Sequence, residues 1–508
     1  MTIAAVVACA AASALAAARW LRVAQREHYI PGSCTRFALR WWWGLGFNRV
    51  LLVGVLANLV FATAAPLFAI LGAVGVASGP FGLRLKGTAP GPLNATRRLK
   101  TLAVTYVAIT VLLGAVVALV TGNAALAAFL ASVATPALVD LALVVTKPIE
   151  HRLAVPWLDR AKARLSAVDP LVVAITGSYG KTSTKGYVRH LVEGSRAVVA
   201  TPASFNNALG LARSINEHLT PGTEVFVAEM GTYGPGEIAA MCEWAKPSVA
   251  AITAIGPVHL ERMRTEDVIA QAKSEILETA TTVVLNVDDD RLAALADAAA
   301  TNGKTVVRCS ATDPASDVSA IVTDGRLVVR RSGNELAAVP APQARATNIA
   351  VAVALASAVG VPDEAIAKRL SSLPTVANRQ ALTTGSTGAT FIDDTYNSNP
   401  AGTAAALEAL KRLSDAATRV AVVTPGMVEL GDRQAEENEA FAAAASEIAT
   451  DIVVIGSTNR RALLAGAHRG RARVTEVAGR AEATKWVREN TNEGDVVLFE
   501  NDLPDHYP

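Results

Sequence analysis

Four long apolar stretches occupy the first 147 residues of the chain and constrain its fold more than any other feature. They run over 2–18, 50–79, 101–120 and 124–145. A helix needs about 20 apolar residues to cross a bilayer, and each stretch approaches or exceeds that length. A single stretch could be a buried core helix, but four in succession predict a transmembrane region over residues 1–147. The first stretch lacks a basic region on its N-terminal side and a clear cleavage context, so we expect a retained anchor.

The basic residues between these stretches indicate which loops face the cytoplasm. Both long loops and the segment after stretch four are basic, whereas residues 121–123 carry no charge. Because basic loops stay in the cytoplasm, both long loops and the C-terminal part are expected inside. One arrangement makes stretch two, with Pro66 near its middle, a re-entrant or kinked hairpin and puts the N-terminus outside. The alternative is four simple spans with both termini inside and one basic loop outside.

Composition excludes several classes of protein. Charged residues make up only 18% of the chain, against about 25% in an average soluble protein. Lys and Arg total 47 and Asp and Glu total 45, so the basic excess typical of nucleic-acid binding is missing. The four cysteines form no CxxC pair and the seven histidines form no HExxH motif. A zinc ribbon, a disulfide framework and a zinc hydrolase are therefore disfavoured.

A linker over residues 148–170 separates the apolar region from the remainder of the chain. In it Trp157, Leu158 and Leu165 alternate with basic residues. Such a pattern fits a short helix lying at the membrane interface, and it fits a solvated linker helix equally well.

A phosphate-binding arrangement begins after the linker. The run 171–176 (LVVAIT) predicts a strand buried in a parallel sheet, the turn 177–182 (GSYGKT) comes next, and a helix is expected after it. Glycines let backbone N–H groups approach phosphate oxygens, and a helix N-terminus favours negative charge. We expect Lys181 to neutralise the β and γ phosphates and the Thr182 hydroxyl to bind Mg²⁺.

The segment 176–184 (TGSYGKTST) resembles the signature of the Mur ligases, the ATP-dependent amide-forming enzymes of peptidoglycan synthesis. The resemblance covers about residues 160 to 500, continues in chain order, and is strongest to the D-alanyl-D-alanine-adding (UDP-N-acetylmuramoyl-tripeptide) branch. The further segments that carry it are 204–210 (SFNNALG), 229–238 (EMGTYGPGEI), 250–260 (AAITAIGPVHL), 269–276 (IAQAKSEI), 283–289 (VVLNVDD) and 393–400 (DDTYNSNP).

The resemblance implies a role for each of a set of residues. The ATP phosphates would be held by Gly177, Ser178, Gly180, Lys181 and Thr182. Two magnesium ions would be bound by Thr182, Glu229, His259 and a carbamylated Lys273, and catalysis would depend on Lys181, Lys273 and His259. Asn286 would face the adenine, and Arg379 and Asp394 would contact ATP across the domain cleft. Weaker substrate assignments are Asn206, Asn207, Tyr396 and Asn397.

Several of these residues also fit purely structural roles. Asn286 can serve an Asn-Asp turn after a strand, and His259 can be a structural histidine. Lys273 can be an exposed helix lysine, and Arg379 and Asp394 can form a surface ion pair.

Two α/β domains are expected after the linker. The first, over 171–374, is a central ATP-binding domain with a hairpin turning at Asp324–Gly325. The second, over 375–508, alternates strands and helices, which predicts a Rossmann-like doubly wound domain. Its predicted strands start near 390, 419, 451 and 495.

The family resemblance implies an ATP-dependent acid–amino-acid ligase that acts through an acyl phosphate. Three segments depart from the family pattern: GTYGPGEI, TPGMVELG and the terminal ENDLPDHYP. The membrane region also stands where Mur ligases carry a soluble domain for the UDP-sugar. Three interpretations therefore remain: a D-alanyl-D-alanine ligase at the cytoplasmic membrane, a ligase on a lipid-linked or polymeric carboxylate of the poly-γ-glutamate synthase type, and a membrane scaffold that binds ATP without turnover.

Overall fold

The structure is a computed structural model that describes residues 1–83, 85, 95–342, 344–374, 381–385, 387–395, 398–415, 417–503 and 506–507. They form two compact units. The helical unit comprises 1–153, 456–458 and the described residues after 502. The sheet unit comprises 154–455 and 459–502.

Helices make up the helical unit. Their bounds are α1 Thr2–Arg26, α2 Ser33–Gly44, α3 Gly46–Phe61, α4 Pro66–Ser78, α5 Arg97–Thr121, α6 Ala124–Val133 and α7 Thr135–Val168. Among the described residues, α1 and α5 are each long and apolar enough to cross a membrane. Counting the bent pairs α2–α3 and α6–α7 as single spans raises the number to four. The expected linker 148–170 lies largely inside α7, which continues past residue 153 into the sheet unit.

The second apolar stretch folds back on itself. Pro66 begins α4, a position where its missing N–H breaks no helical hydrogen bond. Near the turn the rings of Phe61 and Phe68 lie 5.2 Å apart, and further along a Val55 methyl carbon lies 2.6 Å from where a Cβ on Gly75 would be. Residues earlier in α3 contact residues later in α4, so the two helices run antiparallel. The second apolar stretch is therefore two antiparallel helices that meet just before Pro66.

Buried polar side chains cap the helices of this unit. Both carboxylate oxygens of Asp140 on α7 accept hydrogen bonds at the start of α2, from the Cys34 N–H at 3.2 Å and the Thr35 N–H at 2.8 Å. Arg19 on α1 donates to the Gly79 carbonyl just past the end of α4 at 3.1 Å. Helix ends leave backbone groups without partners, so these side chains supply the bonds that an apolar surrounding cannot.

The last described residues also belong to the helical unit. His506 is 1% exposed, and its Nε2 lies 2.9 Å from Oε1 of Glu27 at the end of α1. The indole of Trp41 on α2 donates to the His506 carbonyl at 2.9 Å. The ring of Phe37 packs edge-on against His506 and Tyr507. The chain end is thus a packed part of this unit.

The sheet unit begins with a nine-stranded sheet in the order β2-β3-β1-β4-β5-β6-β7-β8-β9, parallel up to β7 and antiparallel after it. The strands are β1 Leu171–Thr176, β2 Val198–Ala200, β3 Val225–Glu229, β4 Val249–Ile252, β5 Thr282–Asn286, β6 Thr305–Ser310, β7 Val318–Thr323, β8 Arg326–Arg331 and β9 Asn334–Pro340. The helices are α8 Lys181–Val192, α9 Ala208–His218, α10 Glu237–Ala245, α11 Leu260–Met263, α12 Glu266–Ser274, α13 Asp290–Thr301, α14 Ala346–Ala358 and α15 Asp363–Leu370.

Two apolar cores enclose this sheet, one on each face. Alternate residues of the central strand β1 enter opposite cores, which explains why its sequence is uniformly apolar. The predicted hairpin is confirmed: Asp324 and Gly325 both have positive φ, at 50° and 71°, between β7 and β8.

The second sheet has six strands in the order β10-β11-β15-β12-β13-β14, all parallel except β10. They are β10 Ala381–Thr384, β11 Thr390–Asp394, β12 Val420–Thr424, β13 Asp451–Ile455, β14 Arg473–Val477 and β15 Val496–Glu500. The helices are α16 Pro400–Ser414, α17 Gln434–Ile448, α18 Arg460–Ala467 and α19 Arg480–Asn490. α19 packs on the face opposite α16, α17 and α18. The predicted class, a helical region followed by two α/β domains, is confirmed.

Candidate active site

The glycine-rich turn lies between β1 and α8, as the sequence predicts. Gly177 has φ 148°, and a Cβ there would lie 2.0 Å from Thr253 Oγ1. Gly180 has φ 81°, caps α8, and a Cβ there would lie 2.3 Å from Asn348 Oδ1. Both positions therefore require glycine. The turn places the N-terminus of a twelve-residue helix against an open backbone cradle, which is the geometry that binds phosphate.

Side chains of the same turn hold its shape. The Ser178 hydroxyl donates to the Gly256 carbonyl and accepts from the Gly256 N–H, both at 3.0 Å. The Lys181 ammonium folds back on the turn and donates to the Gly177 carbonyl at 2.6 Å. A phosphate entering the cradle would offer this ammonium a stronger, charged acceptor. Thr182 follows in the first turn of α8, half-buried.

The predicted metal ligands come from neighbouring strand ends. β1 lies between β3 and β4, and these strands are parallel, so their carboxyl ends share one edge of the sheet. Glu229 is the last residue of β3, and His259 follows β4 in the loop before α11. The structure therefore brings Glu229 to the glycine-rich turn, as expected for a carboxylate beside a phosphate site.

Two side chains hold the Glu229 carboxylate. The sequence analysis missed Lys185 and assigned Asn206 to the substrate site. Glu229 Oε2 lies 2.9 Å from the ammonium of Lys185 on α8, and Glu229 Oε1 accepts from the Asn206 amide at 3.1 Å. Both charged side chains are buried, at 7% and 1% exposure. Lys185 stands four residues after Lys181 on the same face of α8, so this spacing could have indicated Lys185 as a residue of the site. Asn207, also a substrate candidate, caps α9 by accepting from the Gly210 N–H at 2.9 Å.

Lys273 is buried rather than on the surface. It is 2% exposed on α12, and no hydrogen bond or ion pair reaches it among the described residues. Burial, with a smaller contribution from the nearby charge of Lys181, lowers the pKa of Lys273 well below its ordinary value. An exposed helix lysine paired with an acid is thus excluded as its role. A lowered pKa favours the neutral form of an amine, which is the form that reacts with carbon dioxide.

His259 faces the second sheet. Its Nδ1 contacts a carboxylate oxygen of Glu429, which lies between β12 and α17, and its ring packs edge-on against Tyr233 at 5.0 Å. Arg262 reaches the other oxygen of Glu429 at 3.4 Å and lies over the Tyr233 ring. With Nδ1 occupied, Nε2 is the ring nitrogen available to a metal.

The remaining nucleotide candidates fall into two groups. Asn286 is buried at the end of β5, where its amide donates to the Thr253 carbonyl and accepts from the Asp288 N–H, each at 3.3 Å. Asp394 ends β11 in the second sheet. Arg379, Tyr396 and Asn397 lie outside the described residues.

The donor set fits magnesium by residue type. Within the described part of the chain, no group of three or more His, Cys, Asp or Glu side chains could hold a metal ion. The predicted set has only Glu229 and His259 of those types, because Thr182 and a modified Lys273 would supply the other oxygens. A phosphate site with oxygen ligands nearby matches how Mg²⁺ is bound with nucleotides.

Comparison with known proteins decides the family. A model described as the Mur ligase middle domain matches residues 175–356, and one described as the Mur ligase glutamate ligase domain matches residues 378–500. The chain belongs to the Mur ligase family.

Named relatives and solved structures agree with that assignment. The UDP-N-acetylmuramoyl-tripeptide–D-alanyl-D-alanine ligase of Mycobacterium leprae is 32% identical over 381 residues, covering 66% of this Mur ligase and 72% of that protein. MurF from Acinetobacter baumannii aligns with a TM-score of 0.60 at 26% identity, over 68% of this chain and 77% of that one. MurF from Thermotoga maritima, solved in complex with ADP, aligns with a TM-score of 0.58 at 25% identity, over 68% and 80%.

Proposed function

We propose that this Mur ligase is an ATP-dependent ligase that joins D-alanyl-D-alanine to a UDP-N-acetylmuramoyl-tripeptide precursor of peptidoglycan. The observation that carries the proposal is the cradle formed by Gly177, Gly180 and the N-terminus of α8, with Lys181 already folded onto it. The substrates follow from the names of the relatives, and ATP also from the ADP bound to the Thermotoga relative.

The chain's own residues supply positioning and charge. Backbone N–H groups of 177–182 receive the phosphates, and Lys181 exchanges its bond to the Gly177 carbonyl for one to the transferred phosphoryl group. The acceptor carboxylate takes the γ-phosphoryl group and ADP departs. The amine nitrogen then attacks the acyl carbon, the carbon–oxygen bond to phosphate breaks, and phosphate leaves. Charge neutralisation at the cradle is the main contribution expected from the protein.

Thr182, Glu229, His259 and a carbamylated Lys273 would hold magnesium. The ion would neutralise phosphate charge when it is bound. The depressed pKa of Lys273, caused chiefly by burial, supports the carbamate because only the neutral amine attacks carbon dioxide, releasing one proton. In this proposal Asn286, Asp394 and Arg379 contact the nucleotide, and Asn206, Asn207, Tyr396 and Asn397 line the substrate site.

The proposed domain division is a transmembrane region over 1–147, a linker over 148–170, an ATP-binding domain over 171–374 and a C-terminal domain over 375–508. α1, α5 and the bent pair α6–α7 would each cross the bilayer, and the α3–α4 hairpin would enter and leave on the cytoplasmic side. This puts the N-terminus outside and the ligase domains in the cytoplasm, and it keeps every basic loop inside.

A second candidate keeps the reaction and changes the acceptor to a lipid-linked or polymeric carboxylate. The observation in its favour is the helical unit, since the alignment with the Mycobacterium leprae relative leaves 28% of that protein unmatched and the family models begin only at residue 175.

Release of ADP by the purified full-length protein in detergent tests the proposal. Turnover that needs both UDP-N-acetylmuramoyl-tripeptide and D-alanyl-D-alanine, and that Lys181→Ala reduces at least about a hundredfold, is expected. The matched control is Lys485→Ala, an exposed lysine on α19 that should keep full activity. No turnover with this pair, in protein that still binds Mg-ATP, would overturn the acceptor assignment and favour the second candidate. Substantial turnover by Lys181→Ala would refute the phosphate site.

A further inference from the structure

Two of the three segments that depart from the family pattern meet at His259. Tyr233 belongs to GTYGPGEI, and its ring packs edge-on against the His259 imidazole at 5.0 Å. Glu429 belongs to TPGMVELG, and its carboxylate contacts His259 Nδ1. Arg262 lies 4.6 Å from the centre of the Tyr233 ring and reaches the second oxygen of Glu429 at 3.4 Å. Side chains from two other segments of the sheet unit therefore set where the imidazole lies.

The backbone on both sides of this contact adopts an unusual conformation. His259 has φ 55° and Glu429 has φ 65°, both in the left-handed region that residues other than glycine rarely occupy. The Glu429 carbonyl also accepts a hydrogen bond from the Glu261 N–H at 3.4 Å. Such conformations cost about 1–3 kcal/mol each, persist only where the surroundings hold them, and cluster at functional sites. The directions of the His259 and Glu429 side chains are thus fixed by the backbone that carries them.

A carboxylate on one imidazole nitrogen determines which nitrogen can bind a metal ion. Because an anionic carboxylate only accepts hydrogen bonds, the proton of a neutral imidazole stays on Nδ1 and the lone pair lies on Nε2. The carboxylate also fixes the orientation of the ring and makes the imidazole a stronger ligand. Arg262 occupies the other oxygen of Glu429, which leaves one oxygen for His259. The contact therefore has the form of a carboxylate that prepares a histidine for a metal ion.

A purely structural ion pair joins the same two parts of the sheet unit and serves as a comparison. Arg433, just before α17, donates to Glu266 at the start of α12 at 2.8 Å, and the side chains are 48% and 22% exposed. Among the described residues, the other ion-pair partners of these two side chains are Arg291 and Glu437. The Glu429 contact differs from this pair because it reaches a proposed metal ligand.

We propose that Glu429 is a positioning residue, which fixes the tautomer and the orientation of the His259 imidazole for binding Mg²⁺. The assignment rests on the proposed ligase function, in which His259 is a metal ligand, and deepens it. Glu429 acts through His259 and contacts neither the ion nor the substrates. A metal ligand that follows β4 in the first sheet is thus oriented by the loop between β12 and α17 of the second sheet.

The variant Glu429→Gln separates this role from simple packing, because it keeps the size of the side chain and removes its charge. The amide of glutamine can turn its NH₂ group toward Nδ1, which favours the imidazole tautomer with the proton on Nε2 and blocks that nitrogen for a metal ion. Loss of a carboxylate that orients a metal-binding histidine typically weakens metal affinity about ten- to hundredfold. Nucleotide binding without metal should be unchanged, because the phosphate cradle at 177–182 is intact in the variant.

Calorimetry of the full-length protein in detergent measures the effect without turnover. The probe is a non-hydrolysable ATP analogue, titrated in EDTA and then at increasing Mg²⁺ concentrations. We expect Glu429→Gln to lower the apparent Mg²⁺ affinity about ten- to hundredfold and to keep the affinity for the analogue in EDTA within about twofold of the wild type. Retained binding in EDTA also shows that the variant is folded.

Two further variants complete the experiment. His259→Gln should lower the Mg²⁺ affinity by a similar factor. The double variant with Glu429→Gln should lose no more than the larger single loss, because both changes disable the same ligand. Arg433→Met is the matched control: it breaks the comparison pair between the two sheets, leaves His259 untouched and should keep the Mg²⁺ affinity of the wild type.

Failure of this inference is distinguishable from failure of the proposed function. A wild type that neither binds the analogue more tightly with Mg²⁺ nor releases ADP would contradict the ligase function itself. Where the wild type does both, the role of Glu429 is overturned by an unchanged Mg²⁺ affinity of Glu429→Gln, by losses that add in the double variant, or by an equal loss in Arg433→Met. An unchanged Mg²⁺ affinity of His259→Gln would remove His259 from the metal site and overturn the role of Glu429 with it.

Discussion

Lys185 and Glu229 form a buried ion pair beside the glycine-rich turn, with Nζ and Oε2 2.9 Å apart. Glu229 ends β3 and Lys185 lies on the first turns of α8, so the pair joins the phosphate-binding helix to the neighbouring strand. Asn206 donates the second hydrogen bond to the carboxylate. The proposed metal ligand is therefore paired and fixed in position before any ligand arrives.

Removing the cation of this pair should be costly. Lys185→Met leaves the Glu229 carboxylate buried without its partner, and we expect the free energy of unfolding to fall by about 3–5 kcal/mol. The double variant Lys185→Met, Glu229→Leu should recover most of that loss, since no uncompensated charge remains. Urea unfolding of the detergent-solubilised protein measures both. Arg213→Met, which breaks the exposed pair with Glu217, is the control and should cost less than about 1 kcal/mol. Equal costs for the two single variants would contradict a buried pair.

Replacing Lys273 should raise the free energy of unfolding, whereas replacing Lys185 should lower it. Because burial lowers the pKa of Lys273 in the folded protein, the unfolded chain binds its proton more tightly, and Lys273→Met should stabilise the protein while abolishing ADP release. The gain should be constant below the lowered pKa. Above it, the gain should shrink by about 1.4 kcal/mol per pH unit and vanish near pH 10.4.

Thermal unfolding in carbon dioxide-free buffer across that pH range checks this prediction. Lys485→Met, at an exposed position, should show no such gain at any pH. A stabilisation of Lys273→Met that does not change with pH would contradict the lowered pKa of Lys273 in the folded protein. Bicarbonate should increase ADP release by the wild type and leave the variant inactive.

The sequence predicted the nucleotide cradle well because its determinants are local. A buried β-branched strand, two glycines with positive φ and a helix start all lie within 171–182, and the structure places them as expected. The side chains that contact Glu229, His259 and Glu500 could not be predicted in this way, because strand order and domain contact bring them together. Lys185, Glu429 and Ser398 reach these residues from segments 44, 170 and 102 positions away along the chain. Hydrophobic periodicity and amino-acid composition do not indicate contacts between segments so far apart in the chain.

The chain end could not be placed from the sequence either. Residues after 502 have no periodic pattern, yet His506 is buried against Glu27 and Trp41 in the helical unit. Replacing His506 with Ala would remove a ring packed on Phe37 and the contact of that ring with Glu27. We expect a loss of about 2–4 kcal/mol of stability.

The melting temperature of the protein in detergent measures that loss. His468→Ala is the matched control, because His468 is exposed after α18 and its removal should leave the melting temperature unchanged. If the two variants melt at the same temperature, the buried position of the chain end is wrong.

The helical unit predicts a specific membrane topology. In the arrangement with the α3–α4 hairpin, the loop between α1 and α2 is cytoplasmic, whereas four simple spans would place it outside. The short turn after α5 is external in both arrangements. All four native cysteines are buried, so a membrane-impermeant maleimide should give little background in intact cells. Pro31→Cys, in the first loop, should react only after the cells are permeabilised, and Thr121→Cys should react at once. Immediate labelling of Pro31→Cys would exclude the hairpin arrangement, and Thr121→Cys shows in the same experiment that the reagent reaches the outer surface.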